Sequence, residues 1–331
     1  MRIAPLLLLA VVSAPGQLDA QQLPHPDHVV IVIEENKSFE DVIDPPNTPL
    51  SQSRAPYLNG LLPNAALLKA SYGLHHPSQP NYLELFSGSN QGVCNDHPPR
   101  VLIDAPNLAR SLLEAPSLQR RGFVGFAEDL PSDLTTAARG NYVRRHCPWL
   151  DFAGIPAEAS VDSSAFPTTA DGFANLPAVA IVIPNLIDDM HSPSGSVVAA
   201  RFRRIFHRND IPAEVLQGDQ WLKDHLGAYA DWAMTNNSLL IITWDEDSQE
   251  NKSRIARLEL DSHREPCEHA INTNPPDNHI PTIIVGQAVL PGSISETTYT
   301  HYSLLRTILE MEGLAPLGGS ATESAITGIW Q

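Results

Sequence analysis

Five short apolar runs punctuate the chain, each closed by polar or turn-forming residues. His28 to Ile33 is β-branched and ends in Glu34-Glu35-Asn36; Gly122 to Phe126 ends before Glu128-Asp129; Ala178 to Ile183 ends at Pro184-Asn185. Leu239 to Trp244 ends in Asp245-Glu246-Asp247, and Pro281 to Val285 is the fifth. Runs this short and continuously apolar predict strands covered on both faces, as in a parallel sheet. Between them the apolar spacing becomes helical. Asp219 to Thr235 repeats Trp221, Leu222, Leu226, Tyr229 and Trp232, and shorter helical patterns cover Asn107 to Ala115 and His301 to Glu312. Alternating strands and helices predict an α/β fold with a mostly parallel central sheet flanked by helices.

The first residues follow a different pattern. Arg2 precedes the apolar run Ile3 to Val12, and small and turn residues lead to Ala20. A basic start, an apolar stretch too short to span a bilayer and a small residue at the end predict a signal peptide over residues 1–20. The alternative is an uncleaved N-terminal anchor. Residues 21–331 then form one domain, with polar insertions near 192–213 and 248–278 that follow candidate site residues. The expected location is secreted or periplasmic.

Charge narrows the partners. Lys and Arg total 21 against 38 Asp and Glu, a net charge of -17 that losing Arg2 and Asp19 leaves unchanged. That disfavours nucleic acid polymers and anionic surfaces, and stable membrane insertion is not expected because no later run approaches ~20 continuous apolar residues. A small anionic substrate remains compatible, because one metal ion or a few cations reverse the potential locally. Three cysteines, Cys94, Cys147 and Cys267, leave at least one unpaired. The expected bridge is Cys94–Cys147, both in loop-like sequence; the alternative is three free thiols.

Strand ends are where open α/β sheets bind ligands. The acids and amides at Glu34-Glu35-Asn36, Glu128-Asp129 and Asp245-Glu246-Asp247 offer oxygen ligands to a hard or borderline cation, or are solvated loop residues. In His75-His76-Pro77-Ser78-Gln79-Pro80-Asn81-Tyr82, Ser78 falls near the start of a helix with Pro80 in its first turn. There it is either an ordinary cap or a nucleophile facing a phosphate held by the helix N-terminus. Arg144-Arg145-His146 is a basic cluster in an acidic chain, and Asp188-Asp189-Met190-His191 follows the third strand.

The ordered set of Glu-Asn-x-x-Phe, His-Pro-Ser-x-Pro-Asn-Tyr, Met-His and Trp-Asp-Glu-Asp resembles the bacterial acid phosphatase and phospholipase C phosphoesterases of the alkaline-phosphatase superfamily. The resemblance runs from about His28 to Trp330 and lapses in the two insertions. It implies an alkaline-phosphatase-like sandwich and a seryl-phosphate mechanism. It makes Ser78 the nucleophile and Glu35, Asn36, Ser78, Asp245 and Glu246 ligands of a divalent metal (Ca, Mg, Mn or Fe). His146 and His191 become phosphate contacts or proton donors, with Arg145 and Asn81 binding substrate. The expected activity is a secreted acid phosphatase acting on small phosphomonoesters, phosphoinositides and nucleotides among them. The alternatives are a phospholipase C-type phosphodiesterase and a non-catalytic phosphate binder. Cys147, inside the Arg-His-x-Pro-Trp stretch, departs from the family pattern.

Overall fold

A computed structural model describes residues 23–115, 122–191, 213–248 and 278–331. Residues 1–20, where a signal peptide is expected, nearly all of both insertions, and Cys267 lie outside the described residues. Eight strands form the main sheet: β1 (His28–Glu34), β2 (Ala65–Leu68), β3 (Phe123–Ala127), β4 (Ser160–Asp162), β5 (Val179–Ile183), β6 (Ser238–Trp244), β7 (Thr282–Gly286) and β8 (Ile294–Ser295). Their spatial order is β8-β2-β7-β6-β1-β5-β3-β4. All five expected strands are present, and β1 pairs in parallel with both β5 and β6.

One direction differs from expectation. β7 runs antiparallel to β6 and to β2. An apolar run reports that both faces are covered, and β7 is buried throughout, but it carries no information on polarity. The strands not foreseen are short. β4 and β8 lie at the edges, and β2 is a four-residue segment without the alternation or length that periodicity needs.

Each face of the sheet has its own core. Val29, Ile31 and Ile33 of β1 pack on one side with Leu83 and Phe86 of α2 (Ser78–Ser87) and Leu305 and Ile308 of α5 (His301–Met311). Val30 and Val32 pack on the other with Leu222, Leu226 and Tyr229 of α4 (Ala213–Ala233) and Leu58 of α1 (Pro56–Leu61). Between them in chain order, α3 (Leu108–Glu114) packs beside β3. Asn107 caps α3, its side chain accepting the Arg110 N–H at 3.0 Å. β1, β3, β5 and β6 run parallel, so their carboxyl ends open at one edge, the edge at which such sheets bind ligands.

Two further histidines, His279 and His301, have structural roles. His279 stacks on Phe39 and Tyr72 with ring centroids 4.7 and 5.2 Å apart. His301 is buried at the start of α5, its Nε2 2.9 Å from the Trp244 carbonyl. The cysteines correct the expected pairing: Cys147 is a buried free thiol, whereas Cys94 is disulfide-bonded. Cys147 lies in the core cluster beside Trp149 and Tyr142, so its side chain is spent on packing.

Burial depresses His301 to about 4, from the 6.5 of an exposed histidine. Between those values an unfolded chain binds a proton there that the folded chain refuses. Stability should therefore fall as pH drops from 6.5 to about 4, by up to about 3 kcal/mol from this residue. Urea unfolding of wild type and His301→Gln at either end of that window checks it. The wild type should lose stability relative to the variant on acidification; a constant difference would refute the assignment.

Candidate active site

The site assembles where β1 and β6 end beside the N-terminus of α2. Alternation along β1 sends Glu34 toward the α4 face and Glu35 toward α2. Hydrogen bonds splice the strand ends: Glu35 N–H donates to the Asp189 carbonyl at 2.7 Å and Asp245 N–H to the Glu34 carbonyl at 3.1 Å. Asn36, with φ of 54°, turns the chain sharply. Its backbone N–H donates to Asp245 Oδ1 at 2.9 Å, and its side-chain amide to Glu35 Oε2 at 2.6 Å.

Ser78 is the first residue of α2, preceded by Pro77 at the cap position. Its Oγ is not spent on capping. It lies 3.2 Å from Glu35 Oε2, 3.3 Å from Glu246 Oε1 and 3.4 Å from Asn36 Nδ2. One buried hydroxyl thus joins the ends of two adjacent strands. Gly73 lets the preceding chain come this close: a Cβ there would stand 2.7 Å from the Asp245 carbonyl oxygen.

Glu35 gathers the rest. Tyr82, one turn after Ser78, donates its hydroxyl to Glu35 Oε1 at 2.5 Å. His146 Nε2 stands 3.1 Å from the same oxygen, and the His146 ring stacks on Tyr82 with centroids 5.2 Å apart. His191 Nδ1 lies 3.4 Å from Glu35 Oε2, its side chain 37% exposed. His146 is 1% exposed, as deeply buried as the Glu35 carboxylate it faces. Arg145, beside it in a short 3-10 turn, keeps its Nε buried without a hydrogen-bond partner.

Asn81 departs from its expected part as well. Its Oδ1 accepts the N–H groups of Leu74 and His75 at 2.8 and 2.9 Å, and its Nδ2 donates to the His75 carbonyl at 2.8 Å. The side chain holds the loop that delivers Ser78 and has no capacity left for substrate. Residue-type reasoning also left Tyr82, Asp189 and His76 without roles. His76 pairs with Glu246 through Nδ1 and lies 3.5 Å from Asp247 through Nε2. The quoted motif contained Tyr82 and His76, and the helical spacing from Ser78 to Tyr82 was the available signal.

The site concentrates negative charge in a dry place. Burial, then the charge of Glu35, raises Asp189, Asp245 and Glu246 well above the usual carboxylate range. Burial also opposes ionisation of Glu35, but His146, His191 and the Tyr82 hydroxyl outweigh it and hold that carboxyl below its ordinary value. Burial depresses His146 to about 4, so near neutrality the charge persisting between these two is the carboxylate. Asp245 Oδ2 is buried with no hydrogen-bond partner. Among the described residues, no three His, Cys, Asp or Glu side chains already stand in a coordinating arrangement. Around Ser78 the donors are mixed: carboxylates, an amide and a hydroxyl.

Known proteins fit this geometry. Residues 48–315 match the family model described as Phosphoesterase family. Over 331 aligned positions the chain is 37% identical to phosphatidylinositol-3-phosphatase of Mycobacterium tuberculosis, spanning 99% of this chain and 91% of that protein. It is 25% identical to an acid phosphatase of Aspergillus fumigatus, over 76% of this chain and 49% of that protein. The fold resembles a protein of the alkaline phosphatase superfamily from Vibrio parahaemolyticus, with a TM-score of 0.54 and 12% identity over 92% of this chain and 72% of that one.

Removing the Asn81 side chain should destabilise the fold. Asn81→Ala leaves two buried N–H groups and a carbonyl without partners, a loss of about 2–4 kcal/mol. Urea denaturation measures it, and a loss below about 1 kcal/mol would return Asn81 to the candidates for ligand contact.

Proposed function

The chain belongs to the phosphoesterase family, and from that premise we propose that it is a metal-assisted phosphatase working through a phosphorylated Ser78. The observation that carries this reading is the Ser78 hydroxyl, buried at a helix N-terminus and within 3.4 Å of Glu35, Glu246 and Asn36. The hydroxyl makes no helix-capping hydrogen bond and is turned toward the carboxylates instead. The 37% identity to a phosphatidylinositol-3-phosphatase supports a phosphomonoester on an inositol lipid as the substrate class. The apolar run Ile3 to Val12 supports export.

The donor set fits a divalent cation. Glu35, Asn36, Ser78, Asp245 and Glu246 would hold it, and the unpartnered Asp245 Oδ2 is an oxygen such a charge would satisfy. When bound, a divalent cation lowers the pKa of the hydroxyl and screens the phosphate charge. The protein's own groups do the rest. Ser78 Oγ attacks phosphorus in line, and the bond from phosphorus to the leaving alcohol breaks. The Ser78 proton passes to a carboxylate beside it. Tyr82 and His146 fix the Glu35 carboxylate, while Arg145 neutralises phosphoryl oxygens. His191, the open member of the group, protonates the departing oxygen and then takes the proton of the water that cleaves the seryl-phosphate.

Ser78→Ala should lower turnover of p-nitrophenyl phosphate by about three orders of magnitude or more, with an unchanged circular dichroism spectrum. Turnover near the wild-type value would end the covalent mechanism.

His191 makes a separate claim. An alkoxide needs a proton more than p-nitrophenolate does, so His191→Ala should lose about tenfold more activity on glycerol phosphate than on p-nitrophenyl phosphate. Steady-state kinetics on both substrates decides it. Equal losses would move the acid role to another group.

A further inference from the structure

Residues 97–102 form a short loop fastened at both ends to the residue that follows Ser78. At one end, Asp96 Oδ1 accepts the backbone N–H of Gln79 at 3.1 Å. At the other, the Ile103 N–H donates to the Asp151 carbonyl at 2.8 Å. The Asp151 carboxylate in turn accepts the Gln79 side-chain amide at 2.8 Å. Two anchors on one residue place this loop on the rim of the site.

The loop presents an unusual surface for so acidic a chain. Arg100 is exposed, and it is followed by Val101 and Leu102, 80% and 50% exposed. Among the described residues, the other large exposed hydrophobic residues, Leu50, Leu290 and Ile294, are not adjacent in sequence to another. The nearby Asp104 is engaged by Arg110 at 2.9 Å, which leaves Arg100 as the charge beside the apolar pair. A cleft of about 480 Å3, lined by Gly92, Asn95, His97 and Arg100 among others, opens on the same loop.

We propose that loop 97–102 is a membrane-contact rim, with Val101 and Leu102 entering the interface of an anionic bilayer and Arg100 meeting lipid phosphate. This rests on the phosphoinositide reading above. A lipid headgroup can reach a buried nucleophile only if the mouth of the site approaches the bilayer. Apolar side chains beside a cation are the surface that holds such a contact. The net charge of -17 opposes approach to an anionic surface from afar. At physiological salt, however, charges act over about 8 Å, so at contact Arg100 outweighs the distant acids. The docking is peripheral: among the described residues no helix is long and apolar enough to cross a membrane.

The test compares wild type with the double variant Val101→Asp, Leu102→Asp on three substrates. These are phosphatidylinositol 3-phosphate in phosphatidylcholine–phosphatidylserine vesicles, a short-chain soluble form of the same lipid, and p-nitrophenyl phosphate. The variant should lose about tenfold on vesicles, as expected for removing two interfacial aliphatic contacts. It should match wild type on the two soluble substrates and should no longer sediment with the vesicles. Wild-type rates on vesicles would overturn the proposal, and so would equal losses on vesicles and soluble lipid. A dimer lost on gel filtration with unchanged vesicle turnover would assign the pair to contact between copies and overturn it too. Failure of the underlying substrate reading looks different: the wild type itself would cleave p-nitrophenyl phosphate but neither form of the lipid.

Discussion

Burying several carboxylates around one hydroxyl is the constraint on which this structure depends. Each acid taken out of water raises the cost of ionising the next. The fold meets that cost unevenly. Glu35 receives Tyr82, Asn36 and two histidines, whereas Asp245 and Glu246 have few compensating donors. An arrangement that stabilises one charge and leaves its neighbours short of positive charge is not one of maximal stability, and it is the basis of the cation and phosphate roles proposed above. Stability has to come from elsewhere, and the two apolar layers on either face of β1 supply it.

The sheet explains why the charges can be held at all. Glu34 and Glu35 are adjacent in sequence, yet the pleat sends them to opposite faces, so they do not share one site. The splices from Glu35 to Asp189 and from Asp245 to Glu34 join β1, β5 and β6 at their ends. The carboxylates proposed as ligands therefore stand at hydrogen-bonded strand ends, while α2 brings Ser78 and Tyr82 together on one helical face. A displacement of α2 would alter the hydroxyl and the positioning of Glu35 at once.

Much of this was legible in the sequence for identifiable reasons. The runs at 28–33, 178–183 and 239–244 are continuously apolar, and the first and third are closed by acids, so both those strands and the chemistry at two of their ends could be read. The direction of β7 could not, because burial on both faces is indifferent to polarity. Nor could the short strands β2, β4 and β8, which owe their pairing to neighbours. Glu35, Asn36, Ser78, Asp245, Glu246 and His191 come together in space as their motifs implied. Asn81 was misread because residue type records what a side chain is able to bind, while prior hydrogen bonds decide what it is free to bind. Tyr82 was passed over for the opposite reason: a tyrosine on a helix reads as core, and its hydroxyl matters only once Glu35 is known to stand opposite. The cysteines followed the same logic, since Cys147 looked like a loop residue and proved to be packing.

Charge changes meaning along this path. Counted over the chain, the excess of acids argues against anionic partners of any size. Located in space, several of them are buried around Ser78, where in the reading proposed above they recruit positive charge rather than repel a ligand. Arg145 adjoins His146 of that cluster, and Arg100 is exposed on the loop anchored to Gln79. Screening in water keeps the far surface from being felt until the ligand is already within reach of the near one. Net charge therefore constrains how this protein meets large polyanions, and the placement of single arginines governs how it meets a single phosphate.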